Sequence, residues 1–467
     1  MKRLVFILLL FVTSVSAHPL VLDMNVFAER RAEFMNMLEP HSIAIFPCKP
    51  VYLRNLDVEY EYRQESNFYY LSGFEEPEAV LVIRPSALQH KFIMFVRKRD
   101  QARETYDGAR AGIEGAMSEF RADTAYLFDE FKTRIRNLLP ADAPIYYTFG
   151  INPQVDDIMR ENVVERRASG NWPIIDPSPI LAEMRLIKTD GDLRMGMRKA
   201  VEISALAHIE AIKSIEPGMN EMEIQAVFEF VYRKNGSPRN GYPCIVGSGP
   251  NSTILHYTKN NRRMLDGDMI LMDCAAEYGY YSADITRSVP VNGRFNPRQR
   301  DIYQLVLDAQ NAAMRLVKPG IMKKELDDAA DSVLGNGLVK LGFIKKKEDV
   351  MLFTLHKYAH WIGLEVHDVG SYTIKGDSRP LQAGMCFTIE PGIYVRPDVF
   401  AKMKRNGYSD DEIAAIRKRV EPYMYIGVRI EDDILVTESG YINLSASAPR
   451  EIDEIERLMK QAGVGNR

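Results

Sequence analysis

The chain has 467 residues, 46% of them hydrophobic and 27% charged, with a formal net charge of −4. That length exceeds what one hydrophobic core usually organises, so two domains are expected, and the composition is that of a globular enzyme and excludes a fibrous or disordered chain. No basic surface of the kind that phosphate backbones attract is on offer, so nucleic acid is not expected as a partner.

The opening Met-Lys-Arg, the apolar run Leu4 to Val12 and the small residues Val15-Ser16-Ala17 read as a signal peptide over residues 1–17. Export to a periplasmic or extracellular space is therefore expected, and loss of Lys2 and Arg3 takes the charge from −4 to −6. The alternative is an uncleaved membrane anchor, but the apolar run is shorter than the roughly 20 residues of a spanning helix and no later segment resembles one, so no stable membrane insertion is expected once the leader is removed.

Short β-rich runs at residues 79–83 and 92–96 mix with a helical pattern over Asp123 to Leu139, which suggests an α/β domain. Pro-rich text at Pro173 to Pro179 marks a boundary near residue 180, giving domains 18–180 and 181–467. Long amphipathic helices follow over Asp192 to Ile215 and Glu221 to Lys234. β-like runs at Met269 to Asp273, Met385 to Ile389 and Val428 to Val436 then alternate with helices near Gln299 to Val317 and Lys324 to Leu341, so the second half is also mixed α and β. Cys48, Cys244, Cys274 and Cys386 lack both the density of a disulfide scaffold and the spacing of a zinc ribbon, and read as core residues.

Three stretches carry chemistry. In Leu271 to Asp284 two strand-like arms flank a Tyr-Gly turn. With Tyr278 and Gly279 as the two loop residues, Asp273 and Asp284 lie directly opposite each other. Opposed Cβ atoms in an antiparallel pair are about 4.5–5.5 Å apart, so the carboxylates would repel unless a cation lay between them. The alternative is a surface hairpin whose aspartates point into water. In His356 to Asp368, His356, His360 and His367 place three of the eight histidines within twelve residues. Lys357 stands where an HExxH helix carries its glutamate, so that zinc class is disfavoured. Glu390, before Pro391-Gly392, and Glu431 lie in strand-like text beside apolar neighbours. Arg429 shares a strand face with Glu431 and is expected to hold a metal-binding carboxylate in place, the alternative being an ordinary cross-strand salt bridge.

Four carboxylates and one neutral imidazole balance two divalent cations, and oxygen donors favour manganese-like or cobalt-like ions over thiolate-bound zinc. Such a pair activates water and polarises a peptide carbonyl without a covalent intermediate. No GxSxG elbow is present, and Cys274, facing the strand side opposite to Asp273, has no evident base.

The order Asp273, Asp284, His360, Glu390, Glu431 resembles the ligand order of the pita-bread metallopeptidases. Longer strings, Ile245 to Gly249, Leu255-His256-Tyr257, Ser282 to Arg287, Thr388 to Gly392 and Arg429 to Asp433, resemble aminopeptidase P in particular. Arg54-Asn55, Asp57, Tyr60, Tyr62-Arg63-Gln64 and Phe68 to Phe74 resemble that family's amino-terminal domain. The resemblance implies a creatinase/aminopeptidase P-type α/β domain followed by a catalytic pita-bread domain. It implies two divalent ions, manganese first with cobalt or zinc as alternatives, and removal of a residue that precedes proline from a peptide. By the family pattern Asp273 binds one metal, Asp284 and Glu431 bridge both, and His360 and Glu390 complete the coordination of the second metal. Glu390 also relays protons, His256 and His367 contact substrate near the scissile carbonyl, and His356 supports them. A homo-oligomer is expected on the same ground. Two departures stand out: Lys357-Tyr358-Ala359 is bulkier than the family's usual Gly and Ser, and Pro397 to Tyr425 is longer. The competing readings are a prolidase of the same fold and a non-catalytic peptide-binding relative. Creatinase-like chemistry does not use this metal set.

Overall fold

The computed structural model describes residues 22–140, 142–166 and 173–466. The leader expected over residues 1–17 lies outside them. Among the described residues, no helix is long and apolar enough to cross a membrane.

Two compact units are present, one built from residues 22–195 with 363–386 and the other from 196–362 with 387–466. The division falls at Met195–Gly196, whereas residue 180 lies inside the helix Ser178–Leu186.

The first unit is organised around a six-stranded mixed sheet in the order Thr124–Leu127, Phe92–Val96, Val80–Ile83, Ile43–Pro47, Ile145–Tyr147, Ile174–Ile175. Its central strands are buried at every position, which is why they read as unbroken apolar runs. The helix expected over Asp123 to Leu139 splits into the strand Thr124–Leu127, a 3-10 turn Phe128–Glu130 and a shorter helix Phe131–Leu138. Pairing of Thr124–Leu127 with Phe92–Val96 outweighs the local helical pattern there.

The segment 363–386 is tied into this unit by buried polar contacts. Asp368 accepts from Arg185 Nη2 at 2.5 Å and Lys188 Nζ at 2.9 Å, and the Lys188 backbone donates to Gly384 O at 2.7 Å. Burial pushes the Asp368 carboxyl upward, but Lys188 and Arg185 outweigh it and hold the group below the usual range. Arg63 Nη2 donates to Leu364 O at 2.6 Å.

In the second unit, helices Arg198–Ser214 and Glu221–Lys234 pack as one pair, and Pro297–Met314 and Lys323–Leu341 as another. They share an apolar core with the sheet Ile245–Ser248, Met269–Asp273, Thr286–Pro290. A further sheet joins Cys386–Ile389, Asp432–Val436 and Tyr441–Asn443, and a ribbon pairs Gly392–Tyr394 with Gly427–Arg429. The single run expected over Val428 to Val436 is thus two strands in different sheets, and Glu431 sits at the crossover between them. All four cysteines are free and buried, as expected of core residues.

The inserted-looking stretch from Pro397 folds into helices Val399–Arg405 and Asp410–Val420, whose Val399, Phe400, Met403, Ile413, Ile416 and Val420 join that core. Tyr358 does the same and donates its hydroxyl to Asp331 Oδ1 at 2.6 Å. Much of the added bulk of the Lys357 to Ala359 turn is therefore taken up by the interior.

Candidate metal centre

The hairpin that carries the two aspartates turns one residue later than the sequence suggests. Gly279 and Tyr280, not Tyr278 and Gly279, form the two-residue loop, with φ of 56° and 69°. Tyr278 pairs with Tyr281 and Glu277 with Ser282. A tight hairpin turn of this kind needs positive φ at both central positions, and glycine takes the first at no steric cost. The shift puts Asp273 opposite Thr286, leaving Asp284 as its diagonal neighbour. Both aspartates are buried, which removes the surface-hairpin alternative. The Tyr242 hydroxyl lies 2.5 Å from Asp273 Oδ1 and 2.6 Å from Asp284 Oδ1.

His360 enters from the irregular segment before the strand Cys386–Ile389. Its backbone is held by Thr388, whose Oγ1 accepts from His360 N at 3.1 Å and whose N–H donates to His360 O at 2.9 Å. The ring Nδ1 lies 3.1 Å from the Trp361 carbonyl, an acceptor only, so Nδ1 carries the proton. Nε2 then faces Asp284 Oδ2 at 3.3 Å, Glu390 Oε1 at 3.4 Å and Glu431 Oε1 at 4.0 Å. Tying one imidazole nitrogen to a carbonyl while the other faces carboxylates is how a metal-ligating histidine is oriented. One donor atom each from Asp284, His360 and Glu431 lies within 4.8 Å of the others, close enough to share an ion.

The electrostatics agree with such a use. Burial, reinforced by Asp284, Glu390 and Asp273, drives the Glu431 carboxyl well above the carboxylate range. Burial likewise lifts Glu390 to about 7, with Asp284 and Asp273 adding to the rise and His360 and Arg429 opposing it. Burial disfavours a charged His360, but Asp284 and Glu390 outweigh it and raise the ring to about 9. A cluster of buried acids that calls protons in to relieve its own repulsion is one that divalent cations fit.

Arg429 grips a carboxylate of the cluster directly, chiefly Asp273, with Glu431 at the limit of ion-pair range. Its Nη2 donates to Asp273 Oδ2, Nη1 to Tyr394 OH at 2.8 Å and Nε to Thr286 Oγ1 at 3.0 Å, while Glu431 Oε2 lies 3.9 Å from Nε. Thr286 Oγ1 in turn donates to Glu431 Oε2 at 2.6 Å, so Arg429 reaches Glu431 through a hydroxyl. The guanidinium reaches the nearer carboxylate across the sheet through Nη2 alone, its other nitrogens being taken by Tyr394 and Thr286.

His356 Nδ1 donates to Lys357 O at 2.7 Å, so its Nε2, 2.8 Å from Tyr394 OH, accepts the tyrosine proton. Burial and the Arg429 charge lower its pKa to about 4 and keep it neutral. Its Nδ1 is 3.6 Å from Glu390 Oε2. His256 is exposed on the loop after the 3-10 turn Gly249–Thr253. His367 belongs to the 363–386 segment of the first unit. Tyr242, Thr286 and Tyr394 were not singled out as functional. Thr286 lies inside a motif string, whereas Tyr242 is 31 residues from Asp273 and carries no spacing signal.

Residues 195–438 match the model of metallopeptidase family M24, and residues 27–147 match the aminopeptidase P amino-terminal domain. The chain belongs to the aminopeptidase P group of metallopeptidase family M24. It is 37% identical to Xaa-Pro aminopeptidases of Haemophilus influenzae, over 95% of this chain and 99% of the relative, and of Escherichia coli, over 93% and 98%. The fold superposes on a Pseudomonas aeruginosa aminopeptidase structure with a TM-score of 0.87 at 38% identity, covering 94% of this chain and 99% of that one. An Escherichia coli aminopeptidase P structure gives 0.85 at 35% identity, covering 95% and 99%. These likenesses span both units of this M24 metallopeptidase, as the motif strings implied.

Proposed function

We propose that the chain hydrolyses the bond between an amino-terminal residue and a following proline, releasing the first residue from a peptide. Asp273, Asp284, His360, Glu390 and Glu431 hold two divalent cations, manganese in preference to cobalt or zinc. When bound, the pair supplies an activated water and polarises the scissile carbonyl. The observation that carries this reading is the convergence of buried carboxylates on His360 Nε2, whose other nitrogen is occupied by a backbone carbonyl.

The remaining steps belong to side chains. Glu390, beside His360 Nε2 at 3.4 Å, accepts and returns the proton of the attacking water, the relay role implied by the family pattern. Tyr394 links neutral His356 to Arg429 beside Glu390 and fixes the orientation of both side chains. His256 and His367 contact the substrate beside the scissile carbonyl and stabilise the tetrahedral intermediate. The acidic cluster recognises the free α-amino group, which restricts cleavage to the first residue. Export through the leader at residues 1–17 and assembly into a homo-oligomer complete the proposal. Scattering from the purified protein that gives a monomeric mass would remove the second of these.

A dipeptidase reading has one observation in its favour, 32% identity over 429 residues to the human Xaa-Pro dipeptidase. Loss of catalysis is disfavoured by retention of all five expected ligands. Peptides Xaa-Pro-Yaa, Xaa-Pro and Xaa-Ala-Yaa, tested side by side on metal-stripped protein with manganese restored, separate the readings. Cleavage of Xaa-Pro-Yaa supports the aminopeptidase, cleavage of Xaa-Pro alone means a dipeptidase, and no cleavage with metal bound sends the site back to a binding role.

A further inference from the structure

Glu221 is fully buried, with 0% of its surface exposed, and no part of the chemistry above uses it. It is the first residue of the helix Glu221–Lys234, placed there by a capping box in which Asn220 Oδ1 accepts from Met222 N at 3.0 Å and Glu223 accepts from Asn220 N at 2.6 Å. Five uncharged donors converge on its carboxylate. Oε1 accepts from Ser248 N at 2.7 Å, Ser248 Oγ at 2.8 Å and Asn251 Nδ2 at 3.1 Å. Oε2 accepts from Tyr257 OH at 3.0 Å and Arg262 N at 2.9 Å, and the Glu221 N–H donates to Arg262 O at 3.0 Å.

A buried anion is costly unless its lone pairs are filled, and a carboxylate offers about four acceptor sites, so this one is saturated. Its partners share one property. They lie on residues 248–262, the connection between strands Ile245–Ser248 and Met269–Asp273, and they bracket His256 on both sides. Tyr257, the immediate neighbour of His256, is buried with its hydroxyl on Glu221, while His256 is exposed. Tyr257 is thus fixed inward directly beside an imidazole that stands at the surface. A second anchor, Asn260, accepts from Val246 N at 3.0 Å and donates to Gln225 at 2.8 Å, so the loop does not depend on Glu221 alone to stay folded.

We propose that Glu221, acting through Tyr257, is a positioning residue for His256, setting where that imidazole meets the reacting carbonyl. The proposal rests on the reading of His256 as a substrate-contacting group. Misplacing such a group by about 1 Å costs up to about 100-fold in rate, whereas loss of one buried hydroxyl from a loop with other anchors leaves the fold intact.

The test is a double-mutant cycle of Tyr257→Phe and His256→Ala in the manganese-restored protein, with Xaa-Pro-Yaa as substrate and bound metal and thermal midpoint recorded for each variant. Tyr257→Phe is expected to lower kcat about tenfold with KM and metal content little changed, and to cause no further loss once His256 is alanine. Glu221→Gln, which turns one acceptor into a donor facing donors, is expected to act in the same direction more strongly. Wild-type kcat in Tyr257→Phe, or an equal fold-loss in the His256→Ala background, would overturn the proposal. Wild-type protein that cleaves none of the peptides would overturn the reading of the site and the proposal with it.

Discussion

Replacing Arg287 by methionine removes a guanidinium whose five N–H donors are all engaged. Nε donates to Pro449 O at 3.0 Å, Nη1 to Thr286 O at 2.9 Å and Glu431 O at 2.6 Å, and Nη2 to Asp432 Oδ1 at 2.7 Å and Ala448 O at 2.8 Å. Both members of the Arg287–Asp432 pair have side chains 0% exposed. Breaking a buried pair from one side typically costs about 3–5 kcal/mol, a large share of the roughly 5–15 kcal/mol that holds a native protein together. Asp432 would keep Ser445 Oγ at 2.7 Å and Gln310 Nε2 at 3.0 Å, which places the expected loss toward the lower end. Arg287→Lys retains the charge but has three donors, so two of the five acceptors lose theirs, at about 1–3 kcal/mol each. Because one of those acceptors is the Glu431 carbonyl, both variants should also loosen metal retention. Urea unfolding of the metal-stripped protein, with chelator titration of the loaded form, measures both effects. An Arg287→Met protein less than about 0.5 kcal/mol weaker than wild type, the range of an ordinary surface change, would refute the reasoning.

Tyr242→Phe removes the hydroxyl shared by Asp273 and Asp284 and should weaken divalent-metal affinity about 10- to 100-fold, read by competition with a chelator; unchanged affinity would show that the hydroxyl does not orient them. Gly427→Ala would drive a methyl into the Ser252 backbone carbonyl, displacing the strand that presents Arg429, so a drop in thermal midpoint and in bound metal is expected from calorimetry and metal analysis. His208 is held neutral, its pKa lowered to about 3 by burial and the Arg287 charge, while the unfolded chain titrates near 6.5. Its folded pKa is the lower one, so its contribution to stability is complete above about pH 6.5 and is lost as pH falls toward 3, by up to about 1.4 kcal/mol per pH unit. His208→Gln should flatten the acid limb of stability against pH, and an unchanged slope would contradict this.

Much of the site was legible because its residues sit in short strings with their own register. Asp284 and Thr286 share Ser282 to Arg287, and Glu390 follows an apolar strand into Pro391-Gly392, so chain proximity carries the pattern. The register of the hairpin was not legible. Tyr278-Gly279 and Gly279-Tyr280 are equally good turns by composition, and the choice is made by sheet pairing that fixes Asp273 against Thr286. Partners set by folding alone were also hidden. Arg429 reaches Asp273 across 156 residues, and Glu221 meets Ser248 and Arg262 because a helix start is packed against a loop, with no periodic signal in either stretch. The strand Thr124–Leu127 was missed because its helical periodicity runs on into a real helix, and only a neighbouring strand distinguishes the two.

The account stands most directly on one comparison, divalent metal bound per chain and release of Xaa from Xaa-Pro-Yaa, measured together for wild type and Asp284→Ala. Two equivalents of manganese with cleavage in the wild type, and loss of both in the variant, is the predicted result. Full cleavage by Asp284→Ala, or cleavage by wild type stripped of all metal, would contradict it.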